Sequence, residues 1–122
     1  MPVIHVRALS PSDESVRALM QALPLAVAHA TGIRTERIWA TFTPLRPGAS
    51  SVAGRLVESP ADGPIAYVDA HVQPRTPFVV EALIEAAARC VAEHLELPVE
   101  DVWARAWPIE PGTVFAGGDI QR

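Results

Sequence analysis

The chain opens, after Met1, with the stretch Pro2-Val3-Ile4-His5-Val6-Arg7-Ala8-Leu9, and a similar stretch, Pro64-Ile65-Ala66-Tyr67-Val68-Asp69-Ala70-His71, begins at Pro64. Both stretches alternate apolar and polar side chains in part, and both are rich in β-branched residues. This pattern predicts a β-strand at each position, with one face buried.

Two further matches lie downstream of these strands. Ile38-Trp39-Ala40 matches Val102-Trp103-Ala104, and Arg46-Pro47-Gly48 matches Glu110-Pro111-Gly112 at the same spacing. Several matches in the same order indicate a duplicated unit. Since this spacing is slightly longer than that between Pro2 and Pro64, we expect two residues to have been gained in the second strand-to-helix loop.

A helix is predicted between the two strands of each copy. Ser12 provides a polar start for the first helix, and Thr76 followed by Pro77 provides one for the second. Pro24 is expected to kink the first helix or to expose one of its turns. Apolar side chains recur at helical spacing in both segments: Val16, Leu19, Met20, Leu23 and Val27 in the first, and Val80, Leu83, Ile84, Ala87 and Val91 in the second.

These elements predict an α/β domain of two tandem β-α-β units, with a four-stranded sheet and both helices on one face. We assign residues 2–57 to the first repeat, 58–63 to a linker and 64–122 to the second repeat, with a hairpin inside the turn-rich stretch from residue 50 to 63. The other sheet face would be left uncovered, with Trp39 or Trp103 partly on it. We therefore expect a partner subunit to cover that face.

The composition of the chain argues against several classes of function. The 122 residues have a formal net charge of −4 and no basic cluster, which argues against a nucleic-acid or anionic-membrane surface. The single cysteine, Cys90, lies in an amphipathic helical stretch, so we expect a buried thiol in a reducing compartment. No segment has the pattern of a membrane span or a signal peptide, and a cytoplasmic location is expected.

Pro2 is the residue with the most distinctive chemistry. Proline after an initiator methionine permits removal of that methionine, which would leave Pro2 as a free secondary amine. An apolar pocket near arginines disfavours the charged form of such an amine and lowers its pKa. The neutral amine could then act as a general base near pH 7. The basic side chains are all arginine, so a lysine Schiff base is excluded.

The chain resembles the tautomerase superfamily, whose members use an amino-terminal proline on a β-α-β scaffold. Pro2-Val3-Ile4-His5-Val6 is similar to the start of 4-oxalocrotonate tautomerase-like chains. Pro74-Arg75-Thr76-Pro77 is similar to the arginine-containing loop of the family, and Gly112-Thr113-Val114-Phe115-Ala116-Gly117-Gly118-Asp119 to its glycine-rich closing segment. The duplicated length resembles the fused members, including malonate semialdehyde decarboxylase and cis-3-chloroacrylic acid dehalogenase.

The resemblance implies a homotrimer that acts on a small carboxylate substrate without a cofactor. It makes Pro2 the base that moves a proton between oxygen and carbon of an enol or α-keto acid. Arg75 would bind the substrate carboxylate, because a guanidinium group can donate two parallel hydrogen bonds. Arg105 would be a second anion-binding group, and Phe115 would form part of the apolar wall around the amine.

Two further residues are placed near the site by the same resemblance. His29 lies near the end of the first helix, where dehalogenase-like members have an active-site histidine. Trp39 stands where 4-oxalocrotonate tautomerase has a strand arginine, so a smaller or aromatic substrate is favoured over a dicarboxylate held at both ends, and Trp39 itself could border the pocket. Glu110 is the nearest candidate for an acidic residue that activates water. No histidine or cysteine spacing indicates a metal site.

Three functions stay open at this point. The first is a tautomerase with Pro2 as base. The second is a hydratase-type dehalogenase or a decarboxylase that uses the protonated proline as an acid. The third is a trimer that binds a ligand or serves as a scaffold without catalysis.

Overall fold

The computed structural model describes residues 1–9, 12–62 and 66–122. Its helices and strands follow one another in the order β1 (Pro2–Ala8), α1 (Asp13–Thr31), β2 (Trp39–Pro44), β3 (Ser51–Val52), β4 (Arg55–Leu56), β5 (Ala66–Val72), α2 (Pro77–Leu95), β6 (Val102–Pro108), β7 (Val114–Ala116) and β8 (Asp119–Gln121). Short 3₁₀ turns span Thr35–Arg37, Pro60–Asp62 and Val99–Asp101.

The central sheet has four strands in the order β2-β1-β5-β6. Within each repeat the two strands run parallel, and β1 pairs with β5 in antiparallel orientation. A parallel pair needs a long crossover, which α1 and α2 provide. The predicted α/β architecture, with a four-stranded sheet covered by two helices, is therefore confirmed.

The core lies between the sheet and the two helices. Alternate residues of β1 and β5 are buried there, and the apolar stripes of both helices pack against them. The predicted stripes are confirmed except at Val16 and Ile84, which are half-buried and lie outside the core cluster. Pro24 lies inside α1, which runs as one helix from Asp13 to Thr31. The fully buried residues of the stripes are Leu19, Leu23 and Val27 of α1 and Leu83, Ala87 and Val91 of α2.

The predicted helix starts are also confirmed. The Ser12 side-chain oxygen accepts a hydrogen bond from the Ser15 amide at 3.1 Å, and the Thr76 oxygen accepts one from the Val79 amide at 3.4 Å. The Ser12 bond satisfies an amide at the free amino end of its helix, and the Val79 amide donates to the Thr76 backbone carbonyl as well, at 3.0 Å.

The two repeats are related by one constant spacing, which corrects the sequence alignment. The starts of β1 and β5, of α1 and α2, and of the two corresponding 3₁₀ turns are all separated by the same number of positions. Ala66 therefore corresponds to Pro2, and the expected gain of two residues in the second repeat is wrong. Pro64, the proposed counterpart, lies outside the described residues. The two alignments differ by an even shift that preserves strand alternation, so the hydrophobic pattern alone could not separate them.

Two small hairpins extend from this layer. β3 and β4 pair within the turn-rich stretch from residue 50 to 63, at the end of the first repeat, as predicted. β7 and β8 form a second hairpin that the sequence analysis did not predict. Its turn consists of Gly117 and Gly118, both with positive φ, a conformation that glycine adopts without steric cost.

One face of the sheet has no helix over it in the part of the chain that the structure describes. It contains Trp39, Trp103 and Trp107, which are 53%, 54% and 38% exposed. Asp69 lies on the same face, accepts a hydrogen bond from the Trp107 indole at 2.8 Å and pairs with Arg7 at 3.4 Å. This open sheet face agrees with the sequence prediction. No helix among the described residues is long and apolar enough to cross a membrane.

Candidate functional site

The start of the chain lies between two segments that the sheet brings to the same edge. In the parallel pair, Val3 lies opposite Trp39, so the residues preceding Trp39 run beside Met1. In the antiparallel pair, Pro2 lies opposite Val72, so the residues following Val72 lie on the other side. The turn before β2 and the loop after β5 therefore both approach the chain terminus.

A pocket of about 320 Å³ surrounds this point. Ligand pockets usually span about 300–1,000 Å³, so this volume suits a small molecule. Its wall comes from the start of β1, the turn before β2, the end of β5 and the β7–β8 hairpin. We call it the start pocket, and it is lined by Met1, Glu36, Arg37, Trp39, Gln73, Ala116, Gly117 and Gln121.

A second pocket, of about 230 Å³, lies next to the first and shares Arg37 with it. Half of its lining residues are arginines, so it is suited to bind an anion. We call it the arginine pocket, and it is lined by Thr31, Gly32, Ile33, Arg34, Arg37 and Arg75.

The electrostatics of the chain start follow from this arrangement. Partial burial lowers the pKa of the Met1 amine, and the positive charges of Arg37 and Arg75 lower it further. Burial removes water that would stabilise the ammonium form, and a nearby guanidinium repels it. The amine is therefore neutral at a lower pH than an ordinary chain terminus.

The guanidinium groups differ in their partners. Arg34 is paired with Glu36 at 3.1 Å. Neither Arg37 nor Arg75 takes part in an ion pair within the part of the chain that the structure describes. Two cationic side chains without a carboxylate partner thus lie near the amine.

Two of the predicted site residues line these pockets, and Pro2, which lines neither, directly follows Met1 of the start pocket. Pro2 is fully buried at the start of β1, Trp39 lines the start pocket, and Arg75 lines the arginine pocket. Phe115 lies on β7 beside Ala116, which lines the start pocket, but its own side chain is 69% exposed. The roles assigned to these residues stay predictions.

The structure places Arg105 and His29 elsewhere. Arg105 is on β6, with its guanidinium carbon 3.7 Å from the centre of the Trp107 ring, a cation–π contact on the open sheet face. His29 is exposed in the last turn of α1. Neither lines the start pocket or the arginine pocket. Arg105 lies on the same face of β6 as Trp103, and that face is opposite the one on which Pro2 is buried.

Two other candidates from the sequence have different surroundings. Glu110 lines a neighbouring hollow that shares Gln73 and Gln121 with the start pocket. Cys90 is buried, as predicted, and burial raises the pKa of its thiol to about 11. A thiol that stays protonated in this way is a poor nucleophile. The described residues contain no group of three His, Cys, Asp or Glu side chains that could hold a metal ion.

Three residues of the start pocket, Arg37, Glu36 and Gln73, were not predicted from the sequence. A signal for Arg37 was nevertheless present. Once β1 and β2 are predicted to be parallel neighbours, the residues just before β2 must lie beside the residues just before β1. The exact register, which depends on packing across the sheet, was needed to name the residue.

The similarity of this chain to known proteins is structural. No protein-family profile matches it, and no curated protein sequence matches it. Solved structures do match. A wild-type fused 4-OT that forms a symmetric trimer is 21% identical, with 98% of this chain and 94% of that chain covered and a TM-score of 0.85.

Two other solved structures show the range of similar proteins. A member of the cis-3-chloroacrylic acid dehalogenase family is 25% identical, with 98% of this chain and 83% of that chain covered and a TM-score of 0.76. Malonate semialdehyde decarboxylase is 14% identical, with 94% and 90% covered and a TM-score of 0.71. The fold is thus that of the fused members of the tautomerase superfamily, and the resemblance inferred from the sequence is confirmed at the level of the fold.

Proposed function

We propose that this protein is a tautomerase in which Pro2, exposed as the terminal residue by removal of Met1, acts as general base on a small enol or α-keto carboxylate. The observation that carries the proposal is the position of the chain start. It lies in a pocket where burial and the charges of Arg37 and Arg75 lower the pKa of the amine.

The same causes would act on the amine of Pro2 once Met1 is removed. That nitrogen lies one residue further into β1, and the Pro2 ring is fully buried. A secondary amine is ordinarily protonated at neutral pH. The lowered pKa increases the neutral fraction, which alone has a lone pair to accept a proton.

The reaction would be a proton transfer between oxygen and carbon. The neutral Pro2 amine takes the proton of the enol hydroxyl, and the resulting ammonium returns a proton to the carbon of the double bond. Arg75 would bind the substrate carboxylate with paired hydrogen bonds. The indole of Trp39 gives the start pocket an apolar wall for the rest of a small molecule. No cofactor is required, because the amine both accepts and donates the proton.

We also propose that the protein is a homotrimer. The open sheet face carries Trp39, Trp103 and Trp107, and large exposed aromatic surfaces are characteristic of interfaces. Fused 4-OT structures of the same fold form symmetric and asymmetric trimers. Sedimentation equilibrium of the purified chain would test this, and a monomer at micromolar concentration would contradict it.

Chain maturation is the first test of the proposed activity. Intact-mass measurement would separate chains that lack Met1 from chains that retain it, and both would be assayed with phenylenolpyruvate. We expect activity only in chains lacking Met1, because in the retained form the Pro2 nitrogen is an amide without a basic lone pair. Equal activity of the two forms would contradict the role of Pro2.

Substitution provides the second part of the test. Loss of the base altogether, as in chains that retain Met1, should lower kcat by about 10²-fold or more, the usual contribution of a positioned base. Pro2→Ala should lower kcat by less than this, because it replaces the secondary amine with a primary α-amine that still has a basic lone pair. Arg75→Ala should mainly raise KM, because it removes substrate binding. Arg89→Ala is the matched control, since Arg89 is an exposed arginine on α2 paired with Glu85, away from both pockets.

The pH profile separates a base from an acid. A base requires the neutral amine, so kcat/KM should rise with pH and level off above the lowered pKa of that amine. In the alternative, a hydratase-type dehalogenase or a decarboxylase with Pro2 as acid, activity requires the charged amine and should fall as pH rises through the same pKa. A profile that falls would contradict the tautomerase assignment and favour that alternative.

A further inference from the structure

We propose that Arg37 is a second substrate-binding residue, which holds the substrate carboxylate together with Arg75 in the arginine pocket. This inference rests on the proposed function for its kinetic consequences. Its structural basis is independent of that function and can be tested by ligand binding alone.

The register of the sheet determines the position of Arg37. β1 and β2 are parallel with Val3 opposite Trp39, so Arg37 and Met1 each lie two residues before the paired positions. The 3₁₀ turn Thr35–Arg37 closes directly before β2, with the Ile38 amide donating to the Thr35 carbonyl at 3.0 Å. Arg37 is thus carried by a hydrogen-bonded turn rather than by a long loop.

Among the described residues, only Arg37 lines both pockets. It has no ion-pair partner in the described part of the chain, whereas its neighbour Arg34 is paired with Glu36. An unpaired guanidinium is free to bind an anionic ligand, and two of them around one pocket can bind both oxygens of a carboxylate. The positive charge of Arg37 also reaches the chain terminus, where it contributes to the lowered pKa of the amine.

This assignment gives the substrate an orientation. The carboxylate would lie in the arginine pocket, between Arg37 and Arg75. The remainder would extend into the start pocket, past the terminal amine and toward the Trp39 indole, which lines that pocket. The site therefore favours a monocarboxylate with a planar, unsaturated group next to the carboxylate, since a flat group can pack on the indole face.

The kinetic test uses phenylenolpyruvate and the variants Arg37→Gln and Arg37→Lys. Arg37→Gln should raise KM by about 10- to 100-fold, the effect of losing one charged hydrogen bond. It should also move the acidic limb of the kcat/KM profile to higher pH, because removing a positive charge lets the pKa of the amine rise. Arg37→Lys keeps the positive charge, so the pH profile of kcat/KM should not change. Its KM should still rise, because an ammonium group cannot donate the paired hydrogen bonds of a guanidinium.

A binding test separates this inference from the proposed function. Benzoate binding, measured by calorimetry, should be weaker by about tenfold or more for Arg37→Gln than for the unaltered chain, whether or not the chain catalyses tautomerisation. Arg89→Gln is the control and should leave benzoate affinity unchanged. Equal affinity of Arg37→Gln and the unaltered chain, or no benzoate binding to the unaltered chain, would overturn the inference even if the tautomerase activity is found.

Discussion

The starts of β1 and β5 have the same place in the two repeats, yet only one of them can carry the proposed chemistry. β1 begins at Pro2 beside the chain terminus, whereas β5 begins at Ala66, whose nitrogen is an amide within the chain. The turns before β2 and β6 are also equivalent, but the first ends in Arg37 and the second in Asp101. The duplicated backbone thus forms two similar sheet edges, one at the start of each repeat. The first edge differs from the second in having a terminal amine, and in having Arg37 where the second has Asp101.

The comparison indicates one proposed site for each chain. At the first edge, Arg37 and Arg75 lower the pKa of the amine. At the second edge, the turn carries Glu100 and Asp101, which would repel a carboxylate ligand. The second repeat therefore has no equivalent site of its own. It supplies half of the sheet and half of the helical layer, and through Arg75, Gln73 and the β7–β8 hairpin it completes the pockets at the first edge.

The largest expected loss of stability comes from substitutions at equivalent positions of the two central strands, β1 and β5. Ile4 of β1 and Val68 of β5 hold equivalent positions in the two repeats, and both are buried. Ile4→Ala should lower the free energy of unfolding by about 2–5 kcal/mol, because it leaves a cavity in the core. Val68→Ala removes one carbon fewer and should cost about 0.8 kcal/mol less. Urea denaturation at a fixed protein concentration measures both, and an Ile4→Ala cost below about 1 kcal/mol would contradict the core assignment.

A smaller effect is expected at the two helix starts. Ser12→Ala and Thr76→Ala each remove the side-chain cap of a 19-residue helix, which should cost about 1 kcal/mol. Ser12→Ala should cost more, because its hydrogen bond is 3.1 Å long and that of Thr76 is 3.4 Å. Thermal unfolding of the two variants compares them, with Ser51→Ala in the short β3 strand as control. A larger loss of stability for Thr76→Ala than for Ser12→Ala would show that the length of the cap hydrogen bond does not determine the cost.

The last comparison concerns the two helix ends, where we expect changes in the free energy of unfolding of about 1 kcal/mol or less. Gly32 ends α1 with φ of 77° and Glu96 ends α2 with φ of 57°, both in the left-handed region. Gly32→Ala should lower the free energy of unfolding by about 1 kcal/mol, and since no atom lies within 4 Å of the added Cβ, the cost is in the backbone alone. Glu96→Gly should raise it by less than about 1 kcal/mol. The account would be contradicted if denaturation curves showed that both variants are less stable, or both more stable, than the unaltered chain.

Local signals predicted most of the fold. The helix caps at Ser12 and Thr76, the apolar stripes and the alternating strands depend on residues close in sequence, and the structure contains each of them. The alignment of the repeats was wrong because a two-residue shift leaves strand alternation unchanged. The second hairpin was missed, although Gly117 and Gly118 form a recognisable turn.

The sequence by itself determined the β-α-β units, their duplication and the prominence of Pro2, since each depends on local patterning or on the chemistry of one residue. The tertiary structure alone decided which side chains surround the start of the chain. It placed Arg37 beside Met1, and it placed Arg105 on the open sheet face. The physical reason is that strand pairing joins residues far apart in the sequence, such as Val3 and Trp39, and its exact register depends on packing across the whole sheet.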